Sequence, residues 1–250
     1  MNILLAIPAY NEEKCLEGTI ERLVRVVSQD LPSCTVTMVI VDNGSTDNTA
    51  SIARILARTH PQVEFLSLPE RGKGAAIKAA WSKDADLYMF TDADLAYRPV
   101  ILKEMYAAFL GGADVAVASR KKAGAQVTRS AGRLLATEVY NRLLRMLFGN
   151  TFTDAQAGCK GITLRVRNDL LPRVNEKKWF FDTLLLLEAE KRGYTIREIP
   201  AEYVDVRWGL SFLPTSLYFI GKLISLRIRW AFRSESRVNS TELDSNPRLV

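Results

Sequence analysis

The apolar run Leu87-Tyr88-Met89-Phe90-Thr91 ends in Asp92-Ala93-Asp94, two carboxylates one residue apart. On an extended strand, residues i and i+2 project to the same side, so the pair aims two negative charges at one point. Left alone, the two charges repel and raise one pKa. A hard divalent cation, Mg²⁺ or Mn²⁺, relieves that repulsion, and such ions are commonly held by one or two carboxylates plus substrate phosphates. Asp is also frequent in solvated strand-end turns. The neighbouring motifs weigh toward the cation.

Strand-like runs at 3–7, 35–41, 63–67, 87–91 and 115–119 alternate with helical patterns at about 12–29, 48–59, 73–81 and 100–110. That alternation predicts a mostly parallel sheet covered by helices on both faces. In such sheets ligands bind beyond the carboxyl ends of the strands. Four polar, turn-rich motifs lie at those ends: Pro8-Ala9-Tyr10-Asn11-Glu12, Val41 through Asp47, Glu70-Arg71-Gly72-Lys73-Gly74, and Thr91 through Asp94. One site assembled from all four explains their placement. Lys73, between two glycines at a helix start, is placed like an anion-binding element, whereas Asp47 reads as the cap of the following helix.

The second half departs from simple alternation. A helix over about 129–148 precedes a turn, the segment 153–161, a helix at about 181–191 and short strands near 195–199 and 202–206. From 210 to 232 apolar residues are interrupted by Lys222, Arg227 and Arg229. This mixture suits a pair of interfacial helices split near Pro214 better than a membrane span, which needs a longer uninterrupted apolar run. The polar tail from 234 to 250 predicts disorder.

A chain of 250 residues with 48% hydrophobic content fits one α/β domain with a small appendage. The three cysteines, Cys15, Cys34 and Cys159, match no zinc or disulfide spacing. They read as structural thiols in a reducing compartment. The run Ile3–Ile7 is a core strand rather than a signal peptide. The net charge of +6 is unevenly spread. Arg120, Lys121, Lys122, Arg129, Arg133, Arg142 and Arg145 face the single acid Glu138 between positions 120 and 145. Such a stretch favours an anionic partner. Nucleic acid fits poorly, since no aromatic-basic interleaving accompanies the charge.

In order and spacing the four strand-end motifs resemble those of the inverting nucleotide-sugar glycosyltransferases of family 2, which have the GT-A fold. Arg129-Ser130-x-x-Arg133, Asp154-x-Gln156-x-Gly158-x-Lys160 and Trp179-Phe180-Phe181-Asp182 narrow the resemblance to the polyprenyl-phosphate (dolichyl-phosphate) glucosyltransferases. It extends to about Ser211 and implies an α/β GT-A domain over 1–211, beyond which the composition sets interfacial helices over 212–233 and a disordered tail over 234–250. Ala96 stands where the mannosyl branch usually carries a Gln, which tilts the donor toward UDP-glucose or a UDP-linked relative. Asn43 replaces a frequent Asp, and Phe212 stands where a Lys often follows Ser211.

By the same resemblance, Pro8, Ala9, Tyr10, Glu12, Asp42, Lys73 and Asp92 form the nucleotide pocket, with Asp92 and Asp94 holding Mg²⁺ or Mn²⁺. Ser119, Arg120, Arg129, Arg133 and Arg207 receive the acceptor phosphate. Asp154 and Gln156 line the sugar or stand behind the metal, and Asp182 orients an acceptor arginine. Transfer to a hydroxyl requires a general base; a phosphate monoester is already an anionic nucleophile and requires cations. Arg129 and Arg133, at i and i+4, would present two guanidinium forks on one helix face. The implied partners are a nucleotide-sugar donor, a polyprenyl or dolichyl phosphate and a membrane surface, the protein lying peripherally on its cytoplasmic face. A homo-oligomer is compatible. Three rivals stand beside this reading: a GDP-mannose enzyme, a soluble transferase acting on a hydroxyl, and a nucleotide-binding protein without turnover.

Overall fold

Residues 1–205 and 218–230 are described in a computed structural model of the chain. Nine strands alternate with helices: β1 (Asn2–Ala9), α1 (Leu16–Asp30), β2 (Thr35–Asn43), α2 (Thr49–Thr59), β3 (Val63–Leu68), α3 (Lys73–Ala80), β4 (Leu87–Thr91), α4 (Ile101–Leu110) and β5 (Val115–Ser119) come first. They are followed by β6 (Gln126–Thr128), α5 (Ala131–Phe148), β7 (Cys159–Thr163), α6 (Leu164–Leu170), α7 (Phe181–Lys191), β8 (Ile196–Pro200) and β9 (Glu202–Val204). A further helix, α8, covers residues 218–230.

Seven strands form one sheet in the order β3-β2-β1-β4-β7-β5-β8, and β6 pairs with β9 in a small second sheet. The predicted α/β class with a mostly parallel sheet is what the chain adopts. Ile3 through Ile7 and all of β4 and β5 are buried, as strands covered on both faces must be. Behind β4 the rings of Tyr88, Phe90 and Phe181 pack around Trp81 at centroid distances of 6.0–6.2 Å. The strand order reverses direction at β1 and β4, which opens a crevice at their carboxyl ends.

The departure from the predicted pattern is β7, where the sequence pattern predicts no strand. It runs antiparallel between β4 and β5, with Thr91 opposite Cys159 and Val115 opposite Ile162. Cys159-Lys160-Gly161 breaks the apolar run expected of a central strand, since a lysine is almost never fully buried unless paired. Lys160 is fully buried and is paired.

The chain divides into two compact units: Met1–Ser130 with Phe152–Trp208, and Ala131–Thr151 with Gly209–Val250. The first holds the sheet and all four strand-end motifs. In the second, α5 and α8 meet through the ring pairs Tyr140–Phe219 and Phe148–Trp230, both at 5.4 Å. The expected catalytic domain over 1–211 placed α5 with the sheet; the compact units group it with α8 instead. The split near Pro214 and the tail over 234–250 lie outside the described residues. Among the described residues no helix is long and apolar enough to cross a membrane.

Candidate active site

β1 and β2 end side by side, with Ala9 opposite Asp42. Asp42 and Asn43 are both buried, and Asp42 Oδ1 accepts the Ser45 N–H at 3.2 Å. Asn43 Nδ2 donates to the Ala9 carbonyl at 2.9 Å, while Asn43 Oδ1 accepts the Gly72 N–H at 2.8 Å. One amide therefore ties β1, β2 and the Gly-Lys-Gly turn. An aspartate has no donor for the first of these bonds. The Tyr10 ring beside them carries the Arg71 guanidinium on one face, 4.0 Å from its centroid. Sequence reasoning gave Arg71 no role.

Pro8, Tyr10 and Glu12 are half-buried along this edge, and Ala9 is buried. The Glu12 carbonyl accepts the N–H groups of Cys15 and Leu16, so α1 begins four residues later than the periodicity predicted. Asp47 accepts the Thr49 N–H at 3.0 Å and the Thr49 hydroxyl at 2.5 Å. It supplies capping bonds at the start of α2, although Asn48 occupies the cap position itself.

Two residues beyond the Ala6–Phe90 register of β1 and β4 the chain reaches Asp92. Asp92 and Asp94 are half-buried, between the buried Thr91, Ala93 and Ala96. The turn is held tightly: Leu95 adopts φ 46°, a left-handed conformation that costs a leucine roughly 1 kcal/mol or more. The Ala96 N–H folds back onto Asp94 Oδ1 at 3.2 Å. Burial raises the Asp92 pKa above the ordinary carboxylate value, and the neighbouring Asp94 charge adds to the rise against the pull of Lys73. Two half-open carboxylates one residue apart fit a divalent cation. Among the described residues no cluster of three or more His, Cys, Asp or Glu side chains forms a complete metal cage.

Lys73 opens α3 and is buried, though it carries a charge. Its ammonium lies 2.8 Å from Asp92 Oδ1 and 3.3 Å from Asp182 Oδ2. Lys160 donates to Asp182 Oδ1 at 2.9 Å and to the Ala157 carbonyl. Burial disfavours both ammonium groups. For Lys73 the carboxylates of Asp182 and Asp92 outweigh it and raise the pKa above the ordinary lysine value; for Lys160 burial prevails and lowers it. Asp182 thus meets two lysines, not the arginine expected from the sequence. Gly74 must lack a side chain, because a Cβ there would lie 2.6 Å from the Glu176 carbonyl and 2.7 Å from Phe181. Gly158 faces Asp92 so closely that any Cβ would run into Asp92 Oδ2.

Asp154 is fully buried against Arg120, accepting from its N–H at 2.9 Å, Nε at 2.8 Å and Nη2 at 2.7 Å. Burial pushes the Asp154 pKa up, but the Arg120 charge and these bonds hold it below the usual carboxylate value. Glu198 accepts the N–H groups of Thr153 and Asp154 at 3.0 Å, fixing the loop. Arg120, expected to meet the acceptor phosphate, and Asp154, expected to line the sugar or stand behind the metal, are paired with each other in one buried fork. Gln156 Nε2 donates to the Thr183 hydroxyl at 2.6 Å. Ser119 is buried, and its hydroxyl lies 3.4 Å from that of Thr153.

Arg129 pairs with Asp205 at 3.2 Å. It precedes α5, whose first residue is Ala131, so Arg129 and Arg133 do not share a helix face. The strand β6 keeps the chain extended through Thr128, and the Asp205 N–H bonds to the Thr128 carbonyl at 2.9 Å. Arg133 belongs to the second compact unit. Arg207 lies outside the described residues.

Residues 5–171 match the profile of glycosyl transferase family 2. The chain belongs to that family. Relatives include glycosyltransferase AglD of Haloferax volcanii, 27% identical over 81% of this chain and 33% of that protein. A dolichyl-phosphate beta-glucosyltransferase of Trichomonas vaginalis is 29% identical over 80% of this chain and 63% of its own length. A polyprenol monophosphomannose synthase of Mycolicibacterium smegmatis is 28% identical over 83% and 79%. The chain thus spans a third of the first of these and under two thirds of the second. In fold, this family 2 glycosyltransferase resembles glucosyl-3-phosphoglycerate synthase from Mycobacterium tuberculosis crystallised with UDP, with a TM-score of 0.69 at 19% identity over 90% of this chain and 80% of that one.

In this family 2 glycosyltransferase a line of ion pairs runs from Asp92, just past β4, through Lys73 and Asp182 to Lys160 in β7. Half-open carboxylates at Asp92 and Asp94 stand at one end of that line, and the buried Lys160 stands at the other. The arrangement holds a fixed cation, Lys73, beside a potential metal ligand in a strand-end crevice, a place suited to a diphosphate.

Proposed function

We propose that this glycosyltransferase moves glucose or a close relative from a UDP-sugar to a polyprenyl phosphate at a membrane surface, with Asp92 and Asp94 holding Mg²⁺ or Mn²⁺. A phosphate oxygen of the acceptor attacks the anomeric carbon, the bond from that carbon to the donor diphosphate breaks, and configuration inverts. When bound, the divalent ion neutralises charge on the departing diphosphate. Asp42 and Glu12 accept from the nucleoside, Lys73 meets the diphosphate, and Arg129, Arg133 and Arg207 remain the candidate cations for the acceptor. Arg120 acts indirectly, by holding the loop around Asp154.

One observation carries the lipid acceptor. On α5, Leu135, Val139 and Met146 are exposed to 65%, 55% and 76% along one helical stripe. On α8, Ile224 and Ile228 are each 50% exposed at i, i+4, and helical geometry sets Arg227 and Arg229 on opposite flanks of Ile228. The described part of this unit carries Arg133, Arg142, Arg145, Lys222, Arg227 and Arg229 against the single acid Glu138. Apolar stripes with basic flanks suit burial at an anionic bilayer surface, where a lipid-linked phosphate is confined. Relatives named as dolichyl-phosphate, polyprenol and undecaprenyl-phosphate transferases support the same acceptor. The small, buried Ala96 in place of an amide side chain supports the UDP-linked donor.

Radiolabelled UDP-glucose and GDP-mannose, each offered with polyprenyl phosphate in anionic liposomes and Mg²⁺ or Mn²⁺, test this function. Label is expected in the lipid fraction from UDP-glucose. Label from GDP-mannose alone reassigns the donor. Label reaching only hydroxyl acceptors overturns the lipid phosphate.

A further inference from the structure

Lys73 and Lys160 face Asp92 and Asp182 in a chain of ion pairs, and Asp94 adds a third carboxylate beside Asp92. Each lysine is placed differently. Lys160 is fully buried, and its contacts, Asp182 Oδ1, the Ala157 carbonyl and the Phe90 ring, are all internal. Lys73 instead bridges, with its shorter contact, 2.8 Å, to Asp92, the carboxylate that borders the open crevice. Its other surroundings are Asp182 Oδ2 at 3.3 Å and the faces of Phe90 and Trp179 at 4.9 and 5.5 Å. Aromatic faces also attract an ammonium, so a lysine released from Asp92 retains favourable neighbours in Asp182, the buried Phe90 and the exposed Trp179.

We propose that Lys73 is a resident counter-cation of Asp92 that makes metal binding conditional on the nucleoside diphosphate. The inference rests on the placement of the metal at Asp92 and Asp94 given above. A divalent ion approaching Asp92 alone adds two positive charges beside an ammonium that already neutralises that oxygen, in a site where burial strengthens the repulsion. A nucleoside diphosphate brings the missing negative charge. Its oxygens offer Lys73 a new partner and complete the shell around an ion for which this chain supplies two carboxylates. Metal and nucleotide then enhance each other's binding by the same factor, as linkage requires. With no metal bound, Lys73 supplies the counter-charge of Asp92.

Binding of Mn²⁺ measured by electron paramagnetic resonance, with and without UDP and with no sugar or acceptor, tests the role directly. Wild type should bind Mn²⁺ weakly alone and about tenfold or more tightly with UDP, within the usual range of coupling between sites. Lys73→Met should bind Mn²⁺ alone about tenfold more tightly than wild type, and Lys73→Arg, which keeps the cation, should resemble wild type. Equal affinity of wild type and Lys73→Met for Mn²⁺ alone overturns the proposal. Should Lys73→Met fail to fold, the wild-type enhancement decides: its absence, with Mn²⁺ bound, overturns the proposal. If Mn²⁺ binds no form even with UDP, the metal placement itself falls, an outcome distinct from tight binding to wild type without nucleotide.

Discussion

Arg120 and Asp154 form a buried fork in which one carboxylate accepts three hydrogen bonds, two from the guanidinium and one from the Arg120 backbone. Removing one partner strands the other. Arg120→Met leaves Asp154 buried without its counter-charge and is expected to cost about 3–5 kcal/mol of stability. Arg120→Lys recovers only part, because an ammonium lacks the planar fork. Urea denaturation of the two variants checks both expectations.

The same fork sets an acid limit. The Asp154 pKa is lowered in the folded chain, burial being outweighed by Arg120. Its contribution to stability is therefore complete above the ordinary carboxylate value near ~4 and is lost as pH falls through the lowered one. The stability gap between wild type and Arg120→Met should narrow on acidification below about pH 4, as followed by thermal unfolding across an acid series.

Asn43→Asp tests the knot between the nucleotide edge and the Lys73 turn. The change loses the bond to the Ala9 carbonyl and sets two acceptors 2.9 Å apart. A loss of about 1–3 kcal/mol is expected, with weaker UDP binding by calorimetry. An unchanged UDP affinity would remove Asn43 from the site.

Gly158→Ala pushes a methyl group into Asp92 Oδ2. Misplacement of a reacting group by about 1 Å can cost roughly 10²-fold in rate, so transfer should fall by that order. Overpacking should cost about 1–3 kcal/mol in stability. Gly132→Ala is the control: nothing lies within 4 Å of its added carbon, and it sits inside α5. There, in the first turn of the helix, the substitution should leave stability and activity close to wild type.

Asp94→Asn keeps an acceptor oxygen for the Ala96 N–H but removes a charge that opposes Asp92. Transfer should be abolished while the melting temperature stays within a few degrees of wild type. Retained turnover would sink the metal assignment.

The first half of the fold was legible because its local signals agree: buried strands read as apolar runs, and the turn motifs fall at their ends. Asp92, Lys73, Asp42 and Asn43 could be placed together from strand topology alone. The second half was less legible, because its decisive contacts are long-range ion pairs. Lys160 and Asp182 are 22 residues apart, and nothing local marks either as the other's partner. Arg129 looked helical from its spacing with Arg133, yet pairing with Asp205, far along the chain, keeps it outside the helix. Tyr97, which accepts the Gly158 N–H at 3.1 Å, carried no signal beyond its aromatic type.

The antiparallel strand β7 also governs the order in which this chain can become safe. β4 gains its first neighbour, β1, from residues already made, but its other edge waits for Cys159 through Thr163. During synthesis, at roughly 5–20 residues per second, the apolar edge Leu87–Thr91 stays unpaired for seconds. An unpaired apolar edge invites pairing with another chain. A nascent chain stalled between Thr91 and Cys159 would therefore be the most aggregation-prone form of this enzyme.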